Sequence, residues 1–367
     1  MKFWNNTIKK LSPYVYGEQP RLAARTIKLN TNENPYPPHP SLKKILTAFN
    51  IARLRYYPPP DAEKLVKAVS RVYKIKSANI FIGNGSDEIL SYVFRAFAGS
   101  RDKIVFTRLT YSLYQTLAAI HGFSWSELPM LKDLSVDLDA LPSFKPRIFF
   151  LANPNTPTGI ALSAGRIEKT VKKMPDTLFI IDEAYADFNN ENCIHFARKF
   201  NNVLIIRTLS KSYSLCGIRM GFAFGHADLI SGLMKIKDSY NTSILSQQIA
   251  IHAFRHKSWH DANCRKVIKT RGVFSRRLLE NGFLVLKSSS NFVMCTHLQV
   301  SMKEMYYFLK KHDIHIRYFD SPALDRYVRI SIGTDNEMEK TMQQIKKFLK
   351  IKHQSAEYKT GFTLHKP

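Results

Sequence analysis

Short, fully apolar runs alternate along the first part of the chain with segments in which apolar residues recur at helical spacing. Uninterrupted runs of aliphatic and aromatic residues are typical of strands that are buried on both faces. The predicted strands are residues 80–82, 103–106, 148–151, 178–181 and 203–206. Predicted helices end near Phe97, near His121 and near residue 173. Buried strands separated by helices indicate a mostly parallel sheet covered by helices on both faces.

The remainder of the chain has a different order of elements. Helices predicted at 243–255 and 259–281 precede a β-β-α-β-β-α pattern that runs from 283 to about 350. The predicted fold class is therefore α/β, with a large domain on a mostly parallel sheet and a smaller α/β C-terminal domain. The predicted units are an arm at 1–32 that packs with the small domain or a partner subunit, the large domain at 33–245, the small domain at 246–352 and a tail at 353–367.

Polar residues follow the predicted strands of the large domain. In parallel α/β sheets, ligands bind outside the carboxyl ends of the strands. One crevice is therefore expected to collect Ser86, Asp87, Tyr111, Asn153, Asp182, Tyr185 and Lys211.

Lys211 follows the strand at 203–206, within the run Thr-Leu-Ser-Lys-Ser. A partly desolvated lysine has a lowered pKa, and its neutral amine condenses readily with an aldehyde. The neighbouring hydroxyls and Arg219 suit a phosphate group. Together these groups fit pyridoxal phosphate, which needs an imine partner and a phosphate cradle. Taken alone, Ser-Lys-Ser is more often a solvated turn.

Other polar groups each allow a structural and a functional interpretation. The run Gly-Asn-Gly-Ser-Asp-Glu at 83–88 is either a capped helix start or a phosphate site at a helix N-terminus. Asp182 is either a cap or the carboxylate that keeps a pyridine nitrogen protonated. Tyr185 is a candidate donor to the ring oxygen, whereas Tyr111 either stacks on the ring or is simply packed.

Arg219 and Arg329 are the candidate anion-binding residues. Arg219 lies close to Lys211 in sequence, which suits the cofactor phosphate. Arg329 occupies an otherwise apolar strand at 327–331. It needs a partner, which is either an internal carboxylate or the carboxylate or phosphate of a substrate.

Composition excludes several classes of protein. The 367 residues contain no apolar run of 18 or more, and the N-terminus lacks a secretory pattern. The four cysteines are scattered and show no zinc-type spacing, so we expect a cytoplasmic protein without a metal site. The net charge of +26 is spread over the whole length without a basic tail. This favours a basic surface that attracts phosphorylated ligands over a nucleic-acid binder.

Five stretches resemble fold-type I PLP-dependent aminotransferases, and within them the histidinol-phosphate aminotransferases. Nearly the whole chain, from about residue 11 to 350, takes part in the resemblance. The stretches are Thr-Leu-Ser-Lys at 208–211, Arg-Met-Gly-Phe at 219–222, Asp-Glu-Ala-Tyr at 182–185, Asn-Pro-Asn-Thr-Pro-Thr-Gly at 153–159 and Leu-Asn-Thr-Asn-Glu-Asn-Pro-Tyr at 29–36.

The resemblance implies roles for individual residues. Lys211 forms the Schiff base and shuttles the proton, Asp182 pairs with the pyridine nitrogen, Tyr185 bonds the 3-oxygen and Tyr111 stacks on the ring. The phosphate is held by Gly85, Ser86, Asp87, Ser210 and Arg219. Tyr57 reaches the phosphate of the neighbouring subunit, which implies a homodimer. The substrate is contacted by Tyr14, Asn32 and Arg329, with Arg317 a weaker candidate.

One position departs from the family pattern. The residue before Pro157 is usually asparagine and bonds the 3-oxygen, whereas here it is Thr156. A threonine hydroxyl has a shorter reach, and one hydrogen bond is worth roughly 0.5–1.5 kcal/mol. We therefore expect Thr156 to change the properties of the bound cofactor without abolishing activity. Asn155 is a candidate to supply the missing hydrogen bond to the 3-oxygen.

The resemblance implies ping-pong transamination of L-histidinol phosphate with 2-oxoglutarate, in histidine biosynthesis. The alternatives on the same fold are an aromatic amino-acid aminotransferase and a threonine-phosphate decarboxylase. A non-catalytic basic nucleic-acid binder is the alternative from another class. Neither nucleic acid nor a membrane is an expected partner.

Overall fold

A computed structural model describes residues 2–11, 17–21, 23 and 25–361. The strands are β1 (Ile27–Lys28), β2 (Ile80–Gly83), β3 (Ile104–Thr107), β4 (Trp125–Leu128), β5 (Ile148–Ala152), β6 (Leu178–Asp182), β7 (Val203–Thr208), β8 (Gly221–Gly225), β9 (Phe283–Val285), β10 (Phe292–His297), β11 (Ile314–His315), β12 (Arg317–Tyr318) and β13 (Val328–Ser331).

The α-helices occupy the segments between these strands. They are α1 (Asn6–Lys10), α2 (Leu42–Thr47), α3 (Glu63–Tyr73), α4 (Ser86–Phe97), α5 (Leu113–Ile120), α6 (Leu141–Phe144), α7 (Ala164–Lys173), α8 (Phe196–Lys199), α9 (Ala227–Ile236), α10 (Ile244–Arg255), α11 (Lys257–Glu280), α12 (Met302–Lys311) and α13 (Asp335–Gly361). Among the described residues, no helix combines the length and apolar character needed to cross a membrane.

The central sheet has the order β2-β8-β7-β6-β5-β3-β4 among the described residues. Strands β3 to β7 run parallel, and β8 runs antiparallel to both β2 and β7. Successive side chains of one strand point to opposite faces. Ile205 therefore packs in the core beneath α3, α7 and α10, whereas Ile206 packs in the core beneath α4, α5 and α9. The predicted α/β class with a mostly parallel sheet is confirmed.

The smaller sheet has the order β12-β13-β10-β9 within the described residues and is antiparallel. It packs with α11, α12 and α13 around a separate core. Ile27 and Leu29 from the arm join this core, and β1 pairs in parallel with β11. The β-β-α-β-β-α pattern predicts one strand between α12 and β13, whereas the structure has two, because β11 pairs with β1 and β12 pairs with β13.

Three other details differ from the sequence prediction. Strand β4 was missed because most of its residues are exposed, so that it lacks an apolar pattern. Strand β8 is absent from the predicted strands, and only its pairing with β2 and β7 shows that it is an antiparallel strand. Helix α13 runs to Gly361 rather than to about Lys350, since the polar residues that follow Lys350 include no proline and no glycine before Gly361.

The predicted domain boundaries stay predictions. The apolar side of α10 packs in the core of the large domain through Ile249, Ala250 and Phe254. These contacts lie beyond the predicted start of the small domain at residue 246. The position of the domain boundary therefore depends on which core α10 packs against, and the order of helices and strands does not show this.

Candidate active site

The loops that follow the central strands enclose one cleft with an empty volume of about 540 Å³, including space open to solvent. We call it the strand-end cleft. Its lining consists of Ser86, Asp87, Tyr111, Ala152, Thr156, Asp182, Ala184, Tyr185, Thr208, Ser210, Lys211 and Arg219. Convergence was expected because parallel strands end at the same edge of a sheet.

Lys211 lies three residues beyond the end of β7 and is half-buried. Its Nζ donates to the backbone oxygen of Thr31 at 3.4 Å and lies 5.8 Å from the ring centre of Tyr185. No carboxylate within the described residues forms an ion pair with this ammonium. The amine is therefore held loosely at the cleft.

Asp182 is the last residue of β6 and is buried. Burial raises its pKa to about 6, against two hydrogen bonds that favour the charged form. Oδ2 accepts from the hydroxyl of Tyr114 at 2.9 Å, and Oδ1 accepts from the backbone N–H of Ala184 at 3.1 Å. A cationic group in contact with this carboxylate would remove much of the burial cost.

The opposite end of the cleft is shaped for an anion. Arg219 lies in the left-handed region with φ of 49°, and its Nη2 is 3.1 Å from Asp87 Oδ2. Its Nη1 donates to Ser210 Oγ at 3.4 Å. Helix α4 begins at Ser86 with Gly85 at the N-cap, so free N–H groups point towards the cleft.

Two glycines allow this end of the cleft to close tightly. A Cβ on Gly221 would lie 2.5 Å from the carbonyl carbon of Gly85 and 2.5 Å from the nitrogen of Ser86. A Cβ on Gly85, whose φ is 87°, would lie 2.8 Å from Arg219 Nη2. Only glycine permits this approach of β8 to the start of α4.

Tyr185 is connected to the arm and to the small domain. Its hydroxyl accepts from Asn32 Nδ2 at 2.9 Å. The Oδ1 of Asn32 accepts from Ser331 Oγ at 3.0 Å, and its backbone oxygen accepts from Asn291 Nδ2 at 2.9 Å. Asn32 itself adopts a φ of 59°. The predicted substrate residue Asn32 thus lies beside the cleft and orients Tyr185.

Arg329 extends from the middle of β13 towards the cleft. Its Nη1 donates to Thr156 Oγ1 at 3.2 Å, and its Nη2 donates to the backbone oxygen of Asn30 at 3.1 Å. The guanidinium carbon lies 5.2 Å from the ring centre of Phe292. Because Thr156 lines the cleft, this contact places an arginine of the small domain at its border.

A buried ion cluster supports the loop that carries Lys211. Arg207 contacts Glu183 through Nε at 2.9 Å and Nη2 at 2.7 Å, and Asp187 through Nη1 at 2.7 Å. The hydroxyl of Ser212 donates to Asp187 Oδ2 at 2.5 Å. These charge-assisted bonds hold the residue after Lys211 in place.

Asn153, Asn155, Tyr57 and Arg317 were predicted site residues but do not line the cleft. The side-chain amide of Asn153 instead bonds the backbone N–H and oxygen of Leu162. The side-chain amide of Asn155 donates to Leu109 O at 2.8 Å and to Thr158 Oγ1 at 3.0 Å, so it holds the loop rather than lining the cleft. Tyr57 is 78% exposed and stacks on Tyr240 with ring centres 4.3 Å apart. Arg317 stacks over Phe319, with its guanidinium carbon 5.3 Å from the ring centre. Tyr14 lies outside the described residues.

Sequence reasoning missed Tyr114, whose hydroxyl touches Asp182. Burial raises the pKa of Tyr114 well above its usual value, so the phenol stays protonated and donates. It lies in the first turn of α5, three residues after Tyr111, and the two ring centres are 5.8 Å apart. That spacing is the signal that would have pointed to it.

A family model described as "Aminotransferase class I and II" matches residues 24–345 of the chain. The chain belongs to the class I and II aminotransferases. Proteins of this family use pyridoxal 5′-phosphate (PLP), and this aminotransferase is therefore PLP-dependent.

Named relatives cover almost the whole aminotransferase. It is 40% identical over 352 residues to the histidinol-phosphate aminotransferase of Brachyspira hyodysenteriae, which covers 95% of this chain and 99% of that protein. It is 39% identical over 348 residues to the protein of the same name from Clostridium acetobutylicum, with 94% and 98% covered.

Solved structures share the fold. The histidinol-phosphate aminotransferase of Sinorhizobium meliloti in complex with pyridoxal 5′-phosphate is 24% identical with a TM-score of 0.83, covering 94% of this chain and 96% of that one. A putative histidinol-phosphate aminotransferase from Erwinia carotovora atroseptica is 25% identical with a TM-score of 0.82, covering 89% and 96%.

The cleft of the aminotransferase fits PLP on three counts. The glycine approach at Gly85 and Gly221 leaves room for a phosphate at the start of α4. Asp182 is a buried carboxylate whose burial cost a ring N–H cation relieves. Lys211 supplies an amine without a carboxylate partner among the described residues.

Proposed function

We propose that this aminotransferase transfers the amino group of L-histidinol phosphate to 2-oxoglutarate, giving imidazole-acetol phosphate and L-glutamate in histidine biosynthesis. Relatives at 39–40% identity over nearly the full length carry the name of this activity. The position of Arg329, bonded to Thr156 at the border of the cleft, is the structural observation that carries the proposal.

The chemistry of the two substrates explains why Arg329 matters. Histidinol phosphate has no carboxylate, whereas 2-oxoglutarate has two. An arginine that binds phosphate and carboxylate equally well lets one site accept both molecules in turn. Its stacking on Phe292 keeps the guanidinium plane oriented for bidentate contact.

Different residues of the cleft would bind different parts of PLP. When bound, PLP supplies an electrophilic carbonyl and an electron-withdrawing ring. In this proposal Arg219, Ser210, Ser86 and the N–H groups of α4 bind the phosphate. Asp182 accepts a hydrogen bond from the ring nitrogen and keeps it protonated, and Tyr185 donates to the ring oxygen.

Lys211 has two tasks in the proposal. Its Nζ would hold the cofactor, and the same amine, when free, would carry a proton away from the substrate carbon. The contact of Nζ with Thr31 O, in a segment bonded to the small domain, positions the amine between the two domains.

The assembly and the compartment belong to the same proposal. We infer a homodimer in which Tyr57 reaches the PLP phosphate of the neighbouring subunit, since the exposed Tyr57 lies outside the cleft of its own chain. We also infer a cytoplasmic enzyme. All four cysteines lie in the described part of the chain and are free, which suits a reducing compartment.

The substrate is tested by single-turnover spectroscopy of the PLP-loaded enzyme. Histidinol phosphate should convert the PLP absorption to that of the pyridoxamine form, and 2-oxoglutarate should restore it. Phenylalanine and threonine phosphate are the comparison substrates. Faster conversion by phenylalanine, or carbon dioxide release from threonine phosphate, would overturn the assignment in favour of the aromatic aminotransferase or the decarboxylase.

The lysine is tested by Lys211→Ala. This variant should lose the covalent PLP absorption and transamination together. Lys237→Ala is the matched control, because Lys237 is also half-buried but donates to the backbone oxygens of Asp238 and Ser239, away from the cleft. A Lys211→Ala protein that retains turnover contradicts the proposal.

A further inference from the structure

Three histidines meet outside the strand-end cleft. They are His39, which precedes α2, His252 on α10 and His256 at the end of α10. One ring nitrogen from each lies within 4.8 Å of the others. The ring centres of His252 and His256 are 4.2 Å apart, and those of His39 and His256 are 4.1 Å apart. We call these three residues the histidine cluster.

We propose that the histidine cluster binds one divalent transition-metal ion of the zinc class and thereby fastens the segment before α2 to α10. The sequence predicted no metal site, because His39 is remote in sequence from the other two and no cysteine pair accompanies them. Only the packing of α2 against α10 brings the three rings together.

The hydrogen bonds around the cluster prepare the rings for a metal. His256 Nδ1 lies 2.9 Å from the backbone oxygen of His252, and because a carbonyl only accepts, this nitrogen carries the proton. The Nε2 lone pair of His256 is therefore available. A ligating imidazole usually donates its other N–H to an oxygen in this way.

Ser41 orients the other two rings. Its Oγ lies 2.7 Å from His39 Nδ1 and 2.9 Å from His252 Nε2. The backbone N–H of Ser41 donates to His39 Nδ1 at 3.2 Å, so that a metal bound at this nitrogen would replace the hydrogen bond. The hydroxyl oxygen can accept the Nε2–H of His252 and so leave Nδ1 of that ring free for a metal.

The charge state of the cluster suits a cation. The histidine ion pairs of the described residues involve His226 and His260, not these three rings. Neutral imidazoles without acidic partners are the preferred ligands of Zn²⁺, Cu²⁺ and Ni²⁺.

The surroundings leave room for a fourth ligand. A cavity with an empty volume of about 340 Å³, including space open to solvent, adjoins the cluster and is bordered by Leu42, Ile249 and Trp259. Three histidines and one water complete a tetrahedral zinc site. The small rearrangement needed to draw the three nitrogens together is available because His39 lies in a loop.

The experiment is a zinc titration of the PLP-loaded enzyme, prepared without a polyhistidine tag and freed of metal by chelator. Calorimetry or a competing zinc dye should show one Zn²⁺ per chain, and Zn²⁺ should raise the thermal midpoint, since a ligand that binds only the folded state stabilises it. Co²⁺ in place of zinc should give tetrahedral visible bands beyond the PLP absorption.

Two variants and a matched control locate the site. His39→Gln and His256→Gln should each weaken zinc binding at least tenfold and abolish the rise in thermal midpoint. His312→Gln is the control, because His312 ends α12 and its Nδ1 also lies 2.8 Å from the carbonyl four residues earlier, yet it belongs to no group of three potential metal ligands among the described residues. PLP absorption and circular dichroism report whether each variant folds.

Several results would overturn the proposal. They are no zinc uptake by the wild type, equal uptake by the His39→Gln and His256→Gln variants, or cobalt spectra without tetrahedral bands. In each of these cases the cluster is a hydrogen-bonded group that only caps α2. Because the readouts do not involve turnover, they are independent of the proposed transamination.

Discussion

The hydrogen bond from Tyr114 affects the pKa of the buried carboxylate of Asp182. The burial of Asp182 opposes its ionisation, whereas the Tyr114 hydroxyl favours it. Burial wins, because the pKa lies near 6 rather than at the usual value of about 3.9. The site of the free protein is therefore electrostatically unfavourable at neutral pH and is relieved by a cationic partner. This is typical of a functional site whose local stability is reduced.

We expect Asp182→Asn to stabilise the cofactor-free protein at neutral pH. An acid whose folded pKa is raised loses stability as the pH rises from its unfolded value of about 3.9 to its folded value of about 6. The variant lacks this loss, so its free energy of unfolding relative to wild type should rise by up to about 3 kcal/mol between about pH 4 and pH 7. Urea denaturation across this range measures it. A difference that does not change with pH contradicts the prediction.

We expect Tyr114→Phe to weaken PLP binding at neutral pH. A hydrogen bond to a charged acceptor contributes about 1.5–3 kcal/mol, and without it the pKa of Asp182 rises further. The dissociation constant of PLP should increase roughly tenfold or more, as measured by equilibrium dialysis. Tyr92→Phe is the control, since the Tyr92 hydroxyl bonds the backbone N–H of Asp238 and the side chain of Glu88, not Asp182. Equal affinities of the two variants would count against the role of Tyr114.

At the scale of elements, the site depends on how β8 meets α4. The antiparallel strand β8 pairs Gly221 with Gly83 on one side and with Thr208 on the other. This brings Arg219, just before β8, beside the start of α4. Two segments far apart in sequence thus form one anion-binding surface. They can approach each other closely because residue 221 is a glycine.

We expect Gly221→Ala to destabilise this junction. The added Cβ would lie 2.5 Å from backbone atoms of Gly85 and Ser86, which are not free to rotate away. Overpacking of this kind costs about 1–3 kcal/mol, and PLP retention should fall as well. Gly272→Ala is the control: it lies in α11 with open space around it and should stabilise the protein by up to about 1 kcal/mol. Thermal unfolding and PLP absorbance measure both. Normal PLP retention in Gly221→Ala would show that the close approach is dispensable.

At the scale of the whole molecule, several exposed apolar side chains lie near Tyr57. Tyr57 stacks on Tyr240, while Ile51 is 75% exposed and Leu54 is 54% exposed. An exposed apolar patch on a globular enzyme commonly marks an interface. The patch supports the proposed homodimer, in which Tyr57 completes the partner's phosphate site.

Subunit mixing tests this arrangement. Lys211→Ala and Tyr57→Phe proteins should each be impaired alone, whereas mixed dimers should contain one site with an intact lysine and an intact tyrosine. When equal amounts are mixed and the chains pair at random, about a quarter of all sites should have both the lysine and the tyrosine intact. These sites should regain wild-type activity. Recovery measured after unfolding and refolding the mixture checks it. No gain over the separate proteins would place Tyr57 in its own subunit or outside the site.

The sequence alone determined the α/β class, because uninterrupted apolar runs occur only where a strand is covered on both faces. It also predicted that Lys211 and Asp182 approach one cleft, since parallel strands end at one edge of a sheet. Tertiary packing decided what local patterns do not encode. Strand β8 runs antiparallel through pairing alone, and β4 is held by its partner despite its polar character.

The same physical reason applies to the side chains that sequence analysis could not assign. Tyr114 touches Asp182 because α5 packs across the sheet, and Arg329 reaches Thr156 because the small domain lies against the large one. The histidine cluster exists because α2 packs on α10. Contacts between residues remote in sequence depend on how elements pack, whereas a strand and the residue that follows it are neighbours in any fold.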